Sequence, residues 1–379
     1  MSIACDLSSK GLSSTSSIDA RLERVIAFVS DISNLTYQIF FRRVEMKAAV
    51  YRGIRDIRVE EVDKPVIGPG EALIRVKACG ICGSDLHMYK HGLFLDLGLP
   101  MGSGRVMGHE WSGEVAEING EVPNLKVGDR VSFAVGGANA EYLKVPALAA
   151  PFLPRIPEGV SYEDAATAEP LANSIHSVGL ASPASGQTVV VIGLGIVGLG
   201  AIQVLKALHS VKIIAIDISE KRLAMARQLG TDHTFNAKKE DPVQKAIELV
   251  GSTRIQYLDE PVGNIDAAID WAGVSMENMG PSTLEQCLQM VKQNGVVVLG
   301  AVSEKPFQMD FNRIMRKGIR LFGSWGWTLP EYFQALELIQ SGKIDRKPLV
   351  THQFPLEKAR EAYETAANTA EAIKVLIKP

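Results

Sequence analysis

Residues 188–217 constrain the fold of this 379-residue chain more than any other segment. The apolar run Val189-Val190-Val191-Ile192 leads into the glycine-rich turn Gly193-Leu194-Gly195-Ile196-Val197-Gly198, and a mostly apolar stretch of helical length follows. A second apolar run, 212–217, ends in Asp217. Uninterrupted apolar runs are typical of parallel strands that are covered on both faces. This order of strand, turn, helix and strand predicts a βαβ unit within an α/β fold that has a doubly wound parallel sheet.

The three glycines of the turn and the acidic end of the next strand predict a dinucleotide site. Gly193 permits the tight turn, Gly195 lets the backbone approach a pyrophosphate, and Gly198 lets the helix pack closely on the strand. The free N–H groups of the helix N-terminus then face the phosphates. Asp217 is placed to accept a hydrogen bond from the adenine-ribose 2′-OH, which favours NAD over NADP. Arg222 is a further candidate for contact with the cofactor, and its positive charge could reduce the preference for NAD over NADP.

Nearer the N-terminus, two short segments carry the side chains of a metal site. The first, Gly80-Ile81-Cys82-Gly83-Ser84-Asp85-Leu86-His87, supplies a thiolate, a hydroxyl and an imidazole. The second, Gly108-His109-Glu110, supplies an imidazole beside a carboxylate. Such groups, offered from separate loops, suit a catalytic zinc ion, which takes three protein ligands and leaves a fourth position open.

Cys82 and His109 are the predicted first two zinc ligands, and a carboxylate is the predicted third. The candidates are Glu110, next to His109, and Glu169 in the segment Ala168-Glu169-Pro170-Leu171. We favour Glu169, because a ligand from a third segment suits a tetrahedral site better than two adjacent residues do. Cys79 and Cys82 also form a C-x-x-C pair, but the sequence holds no second such pair, which argues against a zinc knuckle.

The segments on either side of the dinucleotide region predict a second domain. Residues 46–141 contain short strand-like runs broken by Gly, Pro and Asp, which predicts an antiparallel β domain that carries its chemistry on loops. Two helical patterns and a last strand pattern lie between residues 330 and 377 and are predicted to return to this domain. We therefore expect a catalytic domain of residues 46–174 and 325–379, and a cofactor domain of residues 175–324.

The first 45 residues differ in composition from the rest of the chain. Seven serines fall within the first 17 positions, and apolar residues then recur at helical spacing between 18 and 29. Charged residues interrupt this apolar stretch, which argues against a secretory signal. We expect the extension to be dispensable, with Met46 as the working start, and a targeting or oligomer-contact arm as the alternative.

Composition narrows the partners and the compartment. The net charge of −3 favours neither nucleic acid nor an anionic membrane as a partner. The sequence has no run of about eighteen uncharged apolar residues that would predict a membrane span. Its four cysteines are too few and too scattered for a disulfide framework in a chain of this length, which predicts a reducing, cytoplasmic location.

Taken in order, these motifs resemble those of the zinc-dependent medium-chain alcohol dehydrogenases, over about residues 46–379. The branch with sorbitol, butanediol and threonine dehydrogenases is the most similar. The resemblance rests on Gly-Ile-Cys-Gly-Ser-Asp-Leu-His, Gly-His-Glu, Glu-Pro-Leu and the glycine-rich turn. It implies a GroES-like β domain beside a Rossmann domain, and zinc held by Cys82, His109 and Glu169. It also implies that Glu110 is a nearby carboxylate that can exchange onto the metal.

The same resemblance assigns further roles. Asp85 orients the zinc histidine, and Ser84 and His87 form a proton relay. Lys374 lies where relatives place a basic residue near the cofactor phosphates. Residues 128–142, however, lack the four clustered cysteines that hold a structural zinc in many relatives. One zinc per subunit is therefore expected. Relatives are dimers or tetramers, so the resemblance also implies a homo-oligomer.

The residues and the resemblance together predict a hydride transfer from a secondary alcohol to NAD. The hydroxyl proton would pass to Ser84 and then, through the cofactor ribose, to His87. Polyols, vicinal diols and 3-hydroxy amino acids are favoured as substrates, because a neighbouring hydroxyl or amine can chelate the metal. One alternative is a zinc-free, NADPH-dependent enone or quinone reductase of the same superfamily, and the other is a dinucleotide-binding protein without catalytic activity. The zinc residues and Asp217 argue against the first, and the relay argues against the second.

Overall fold

A computed structural model of the chain describes residues 44–93, 105–256, 258, 261–274 and 282–379. Contacts divide the chain between Glu45 and Met46, and the unit Met46–Pro379 is the one described below. The helix expected between residues 18 and 29 lies outside the described residues. Within the described ranges, no helix combines the length and the apolar character that crossing a membrane requires.

The strands, in chain order, are β1 (Glu45–Gly53), β2 (Asp56–Asp63), β3 (Ala72–Gly80), β4 (Glu110–Ile118), β5 (Arg130–Phe133), β6 (Tyr142–Val145), β7 (Thr188–Ile192), β8 (Lys212–Asp217), β9 (His233–Asn236), β10 (Ser252–Thr253), β11 (Val262–Gly263), β12 (Ile265–Asp270), β13 (Val291–Leu299), β14 (Arg320–Gly323), β15 (Val350–Pro355) and β16 (Lys374–Lys378). The α-helices are α1 (Gly83–His91), α2 (Tyr162–Ala165), α3 (Ala168–Ala181), α4 (Ile196–Leu208), α5 (Glu220–Gln228), α6 (Pro242–Val250), α7 (Thr283–Met290), α8 (Phe311–Lys317), α9 (Leu329–Gln340) and α10 (Ala359–Ala367). Short 3₁₀ turns cover Ala150–Phe152, Lys347–Leu349 and Leu356–Lys358.

A six-stranded parallel sheet occupies the second half of the chain, in the order β14-β13-β12-β7-β8-β9. In order of sequence this is the 3-2-1-4-5-6 arrangement of a doubly wound fold. Val189 and Val191 of β7 pack into the core that contains α3 and α4. Val190 and Ile192 point to the opposite face and pack with α7. Both faces are thus covered, which explains the uninterrupted apolar run and confirms the predicted α/β fold class.

A second six-stranded sheet has the order β15-β16-β3-β4-β5, and β6 also pairs with β3. All of its pairs are antiparallel except β15 with β16. The C-terminal strand β16 pairs with β3, where Leu376 lies opposite Gly80 and Ile377 lies opposite Cys79. The end of the chain therefore lies directly beside the segment that carries the candidate metal ligands.

Strand β13 begins earlier than its apolar residues indicate. Its uninterrupted apolar run covers only residues 296–299, whereas the strand begins at Val291. Its pairing with β12 shifts register between Ile265 and Ala267, and Asn294 adopts a positive φ of 60°. A bulge of this kind accommodates polar residues inside a strand, which is why the apolar pattern missed its first half.

Candidate active site

Sheet pairing brings the two segments of the candidate metal site together. β3 ends at Gly80 and β4 begins at Glu110, and these two residues lie opposite each other in the antiparallel pair. Cys82 follows the end of β3 by two residues, and His109 directly precedes β4. A Cβ atom on Gly80 would overlap the carboxylate of Glu110, so glycine at this position leaves room for that side chain.

The donor atoms of Cys82, His109 and Glu110 all lie within 4.8 Å of one another. Glu110 is 1% exposed, and its Oε1 has no hydrogen-bond partner among the described residues. A buried carboxylate oxygen without a partner is costly unless a cation or a donor satisfies it. The donor set of thiolate, imidazole and carboxylate therefore fits a zinc ion.

Asp85 lies behind the imidazole of His109. Its Oδ1 is 3.6 Å from Nδ1 of His109, and its Oδ2 accepts a hydrogen bond of 3.0 Å from the backbone N–H of Cys82. Burial lowers the pKa of His109, but the negative charges of Cys82 and Asp85 outweigh burial and raise that pKa well above its usual range. The site thus concentrates negative charge where a metal cation would neutralise it.

Glu169 lies in the first turn of α3 and is buried, but it is not one of the three clustered donors. Its Oε1 accepts hydrogen bonds of 2.9 Å from Trp327 Nε1 and 2.9 Å from Asn173 Nδ2. Burial and the neighbouring Glu110 raise the pKa of Glu169, while His109 and the two donors act in the opposite direction. Glu110, and not Glu169, therefore has a carboxylate oxygen within 4.8 Å of the donor atoms of Cys82 and His109.

Lys374 on β16 is the cation of the site. Its Nζ donates a hydrogen bond of 2.8 Å to the carbonyl oxygen of Ile81 and is also bonded to Oε2 of Glu110. Both charged side chains are 1% exposed. The resemblance placed Lys374 near the cofactor phosphates, whereas its ammonium group lies against the metal-site carboxylate. No local sequence signal could have found this pair, because its members are 264 positions apart.

The candidate relay residues lie on α1, the helix that begins directly after Cys82. Cys82 and Asp85 form its capping box, which fixes the helix relative to the metal site. Ser84 and His87 are three positions apart and therefore share one side of the helix. Nδ1 of His87 lies 2.8 Å from Oε1 of Glu304, a residue that the sequence reasoning did not single out.

The glycine-rich turn has the geometry of a phosphate cradle. Gly193 has a φ of +83°, and no heavy atom of the described residues lies within 4 Å of the position that a Cβ atom of Gly195 would take. Gly195 begins α4 and provides no side chain to cap its free N–H groups. A Cβ atom on Gly198 would collide with the carbonyl oxygen of Gly193. This open backbone surface at a helix N-terminus fits the pyrophosphate of a dinucleotide.

Asp217 joins the end of β8 to this turn. Its Oδ2 accepts a hydrogen bond of 2.6 Å from the N–H of Leu194, and its Oδ1 accepts one of 2.7 Å from the N–H of Ser219. Arg222 on α5 donates from Nη2 to the carbonyl oxygen of Ala372 at 3.1 Å. Burial lowers the pKa of Arg222, and Asp217 opposes this effect. The Arg222 guanidinium is thus tied to the segment that precedes β16.

Comparison with known proteins agrees with these features. Residues 68–155 match the family model described as the alcohol dehydrogenase GroES-like domain, and residues 197–341 match the one described as zinc-binding dehydrogenase. Sorbitol dehydrogenase of Bacillus subtilis (strain 168) is 30% identical over 365 residues, which span 88% of this chain and 97% of that protein. L-threonine 3-dehydrogenase of Bacillus velezensis is 32% identical over 336 residues, which span 81% of this chain and 91% of that protein.

The fold also has solved counterparts. The crystal structure of 2R,3R-butanediol dehydrogenase from Bacillus subtilis superposes with a TM-score of 0.75 at 30% identity, covering 88% of this chain and 99% of that one. The match to the GroES-like family model, residues 68–155, includes Cys82, His109 and Glu110. The chain therefore belongs to the zinc-dependent medium-chain alcohol dehydrogenases and is an alcohol oxidoreductase.

Proposed function

We propose that this enzyme holds one zinc ion per chain with Cys82, His109 and Glu110, and that it oxidises a secondary alcohol with NAD. The observation that carries this proposal is the cluster of three donors within 4.8 Å, with the buried Oε1 of Glu110 unpartnered among the described residues. Glu169 is then the adjacent carboxylate that exchanges onto the metal. This assignment reverses the roles that the sequence alone favoured for the two glutamates.

Each residue of the candidate metal site has a separate role. When bound, zinc supplies Lewis acidity that lowers the pKa of the substrate hydroxyl. Asp85 faces Nδ1 of His109 and so leaves Nε2 as the ligand atom of that imidazole. Lys374 holds Oε2 of Glu110, which leaves its Oε1 for the metal.

Ser84 and His87 provide the exit for the hydroxyl proton. They share one side of α1, and His87 is 24% exposed, so a proton that reaches its ring can pass to water. Burial lowers the pKa of His87, with Glu304 acting in the opposite direction. The ring is therefore neutral near pH 7 and able to accept a proton.

NAD is the proposed cofactor because Asp217 offers a negative charge where NADP would carry its 2′-phosphate. Arg222 does not counter this, since it is tied to the carbonyl oxygen of Ala372. We expect a higher kcat/KM with NAD than with NADP. We expect Asp217→Gly to lower the ratio of kcat/KM with NAD to kcat/KM with NADP. A wild-type enzyme that prefers NADP would refute the assignment.

The proposed substrates are polyols, vicinal diols and 3-hydroxy amino acids. The relatives described above are named for sorbitol, butanediol and threonine, each of which carries a hydroxyl or amine beside the reacting hydroxyl. The test is NAD reduction with sorbitol, butane-2,3-diol and L-threonine, alongside metal content. About one zinc per chain together with turnover on any of the three supports the proposal. A folded, cofactor-binding protein without zinc would instead support the zinc-free reductase.

Metal content also separates the two glutamates. Cys82→Ser and Glu110→Gln should both lose zinc, whereas Glu169→Gln should keep most of it and lose turnover. His176→Asn is a matched control, because His176 forms a histidine–carboxylate pair with Glu331 at 3.0 Å outside the cluster. Zinc retained in Glu110→Gln but lost in Glu169→Gln would restore the assignment that the sequence favoured.

We propose that the enzyme is a cytoplasmic homo-oligomer with the domain bounds predicted from the sequence. The partner is a second copy of this chain, which pairs along β14, an edge strand whose four residues are all exposed. Phe311 and Met315 on the adjacent α8 are 70% and 69% exposed, which supplies apolar surface beside this edge. Light scattering should give a dimer or tetramer, and Phe311→Asp should shift the equilibrium toward the monomer.

The N-terminal extension is proposed to be dispensable. Protein that starts at Met46 should therefore retain full activity.

A further inference from the structure

Three ionisable side chains meet between α1 and the loop that follows β13. Nδ1 of His87 lies 2.8 Å from Oε1 of Glu304, and Nε2 of His91 lies 3.5 Å from the same oxygen. Glu304 is 9% exposed at its side chain. His87 and His91 are one helical turn apart, so both face the carboxylate from the same side of α1.

The backbone places Glu304 at the edge of the parallel sheet where dinucleotides bind. β13 ends at Leu299, and the N–H of Glu304 donates a hydrogen bond of 2.8 Å to the carbonyl oxygen of Val274, which lies just beyond β12. Ligands of doubly wound folds bind at the carboxyl ends of such strands. The carboxylate therefore comes from the parallel sheet, while His87 comes from the helix that begins at the metal site.

The contact fixes which nitrogen of His87 carries the proton. An ionised carboxylate only accepts hydrogen bonds, so the ring atom that faces Glu304 must be an N–H. Neutral His87 is then protonated at Nδ1, and the lone pair of the ring lies on Nε2. Burial lowers the pKa of His87, Glu304 raises it, and the nearby charges of His91 and Lys90 lower it.

We propose that Glu304 is a positioning residue for the proton exit, because its carboxylate holds His87 in the Nδ1–H form and thereby leaves Nε2 to accept the substrate proton. This inference rests on the proposed function. Nε2 gains one proton, Glu304 stabilises the resulting imidazolium, and the ring becomes neutral again by losing that proton to water at its exposed edge. The hydride leaves separately to the cofactor, so this branch carries a proton and no electrons.

Kinetics of Glu304 variants test the proposal. Glu304→Met removes the acceptor, and kcat should fall by at least about tenfold, since a well-placed acid or base contributes roughly 10²–10⁴-fold. KM for NAD should change little. Glu304→Gln keeps a hydrogen-bond acceptor but loses the negative charge, so its kcat should lie between those of the wild type and Glu304→Met. Because Glu304 raises the pKa of His87, the acid limb of the pH profile should move to lower pH in both variants.

A matched control and a double variant separate positioning from general damage. Glu117→Met removes the carboxylate of another ion pair, with Lys64 at 2.8 Å, and should leave kcat and its pH profile unchanged. Glu304→Met should add no further loss in a His87→Asn background, because Glu304 acts through that ring. Fully additive losses would overturn the proposal.

A measurement independent of turnover completes the test. The ¹⁵N shifts of the histidine ring, assigned with His87→Asn, should show the Nδ1–H form in the wild type and lose it in Glu304→Met. An unchanged ring form together with normal turnover in Glu304→Met overturns this inference alone. A wild type without dehydrogenase activity overturns the proposed function instead.

Discussion

Replacing Lys374 with Met should destabilise the metal-free protein more than any surface charge change. Lys374 and Glu110 are each 1% exposed, and Lys374 also donates to the carbonyl oxygen of Ile81 at 2.8 Å. In Lys374→Met, Glu110 keeps its charge but loses its cation, while its other oxygen has no partner among the described residues. Removing one member of a buried ion pair costs about 3–5 kcal/mol, because the remaining charge stays desolvated.

Urea unfolding, followed by tryptophan fluorescence in the presence of a chelator, measures this loss of unfolding free energy. Lys64→Met is the matched control, since its partner Glu117 is 54% exposed and such surface pairs contribute about 0–1 kcal/mol. Adding Glu110→Gln to Lys374→Met should recover much of the loss, because no unpaired charge remains. Saturating zinc should also reduce the loss, because the metal supplies the missing positive charge.

A loss below about 1 kcal/mol in Lys374→Met, the value expected for a surface pair, would contradict a costly unpaired charge on Glu110. A loss that is the same with and without zinc would contradict it equally, because the cation would then not act on Glu110. A loss that persists in the double variant would show that packing around Lys374, rather than the charge of Glu110, determines the effect.

Three further predictions follow from individual contacts. Gly198→Ala places a Cβ atom against the carbonyl oxygen of Gly193, so the dissociation constant for NAD, measured by calorimetry, should rise by about tenfold or more, a cost of at least about 1.4 kcal/mol. Asp241 caps α6 by accepting from the N–H groups of Val243 and Gln244 at 2.9 and 3.2 Å, so Asp241→Ala should lower the free energy of unfolding in urea by about 1 kcal/mol. Burial lowers the pKa of Lys317 from 10.5 to about 7, so the unfolded state binds more protons than the folded state between these values. The stability of the wild type relative to Lys317→Met should therefore be constant below pH 7 and should rise with pH above it, and urea midpoints on both sides of pH 7 measure this difference.

Local patterns in the sequence were sufficient for the parallel sheet. The apolar runs of β7 and β8 and the glycines between β7 and α4 predicted their structure from neighbouring residues, because burial on both faces and a tight turn are local requirements. Asp241 accepts from Val243 and Gln244 at the start of α6, which is likewise a contact between neighbouring residues. The first half of β13 lacks an apolar pattern because a bulge at Asn294 interrupts the strand.

Residue types and spacing were also sufficient to bring Cys82 and His109 into one candidate site. They could not rank Glu110 against Glu169, because that choice depends on which oxygen already has partners. Trp327 supplies one of the donors to Glu169, from a position 158 residues away. Only the folded chain shows that this carboxylate is already hydrogen-bonded and that one oxygen of Glu110 has no partner among the described residues.

The sequence by itself determined the fold class, the glycine-rich turn and the types of side chain available for chemistry. The tertiary structure alone decided which charges neutralise one another. Lys374 meets Glu110, and Glu304 meets His87, across separations of 264 and 217 residues. Such contacts arise when β16 returns to β3 and when the loop after β13 reaches α1. Electrostatic partners act through space, and a single sequence records distance only along the chain.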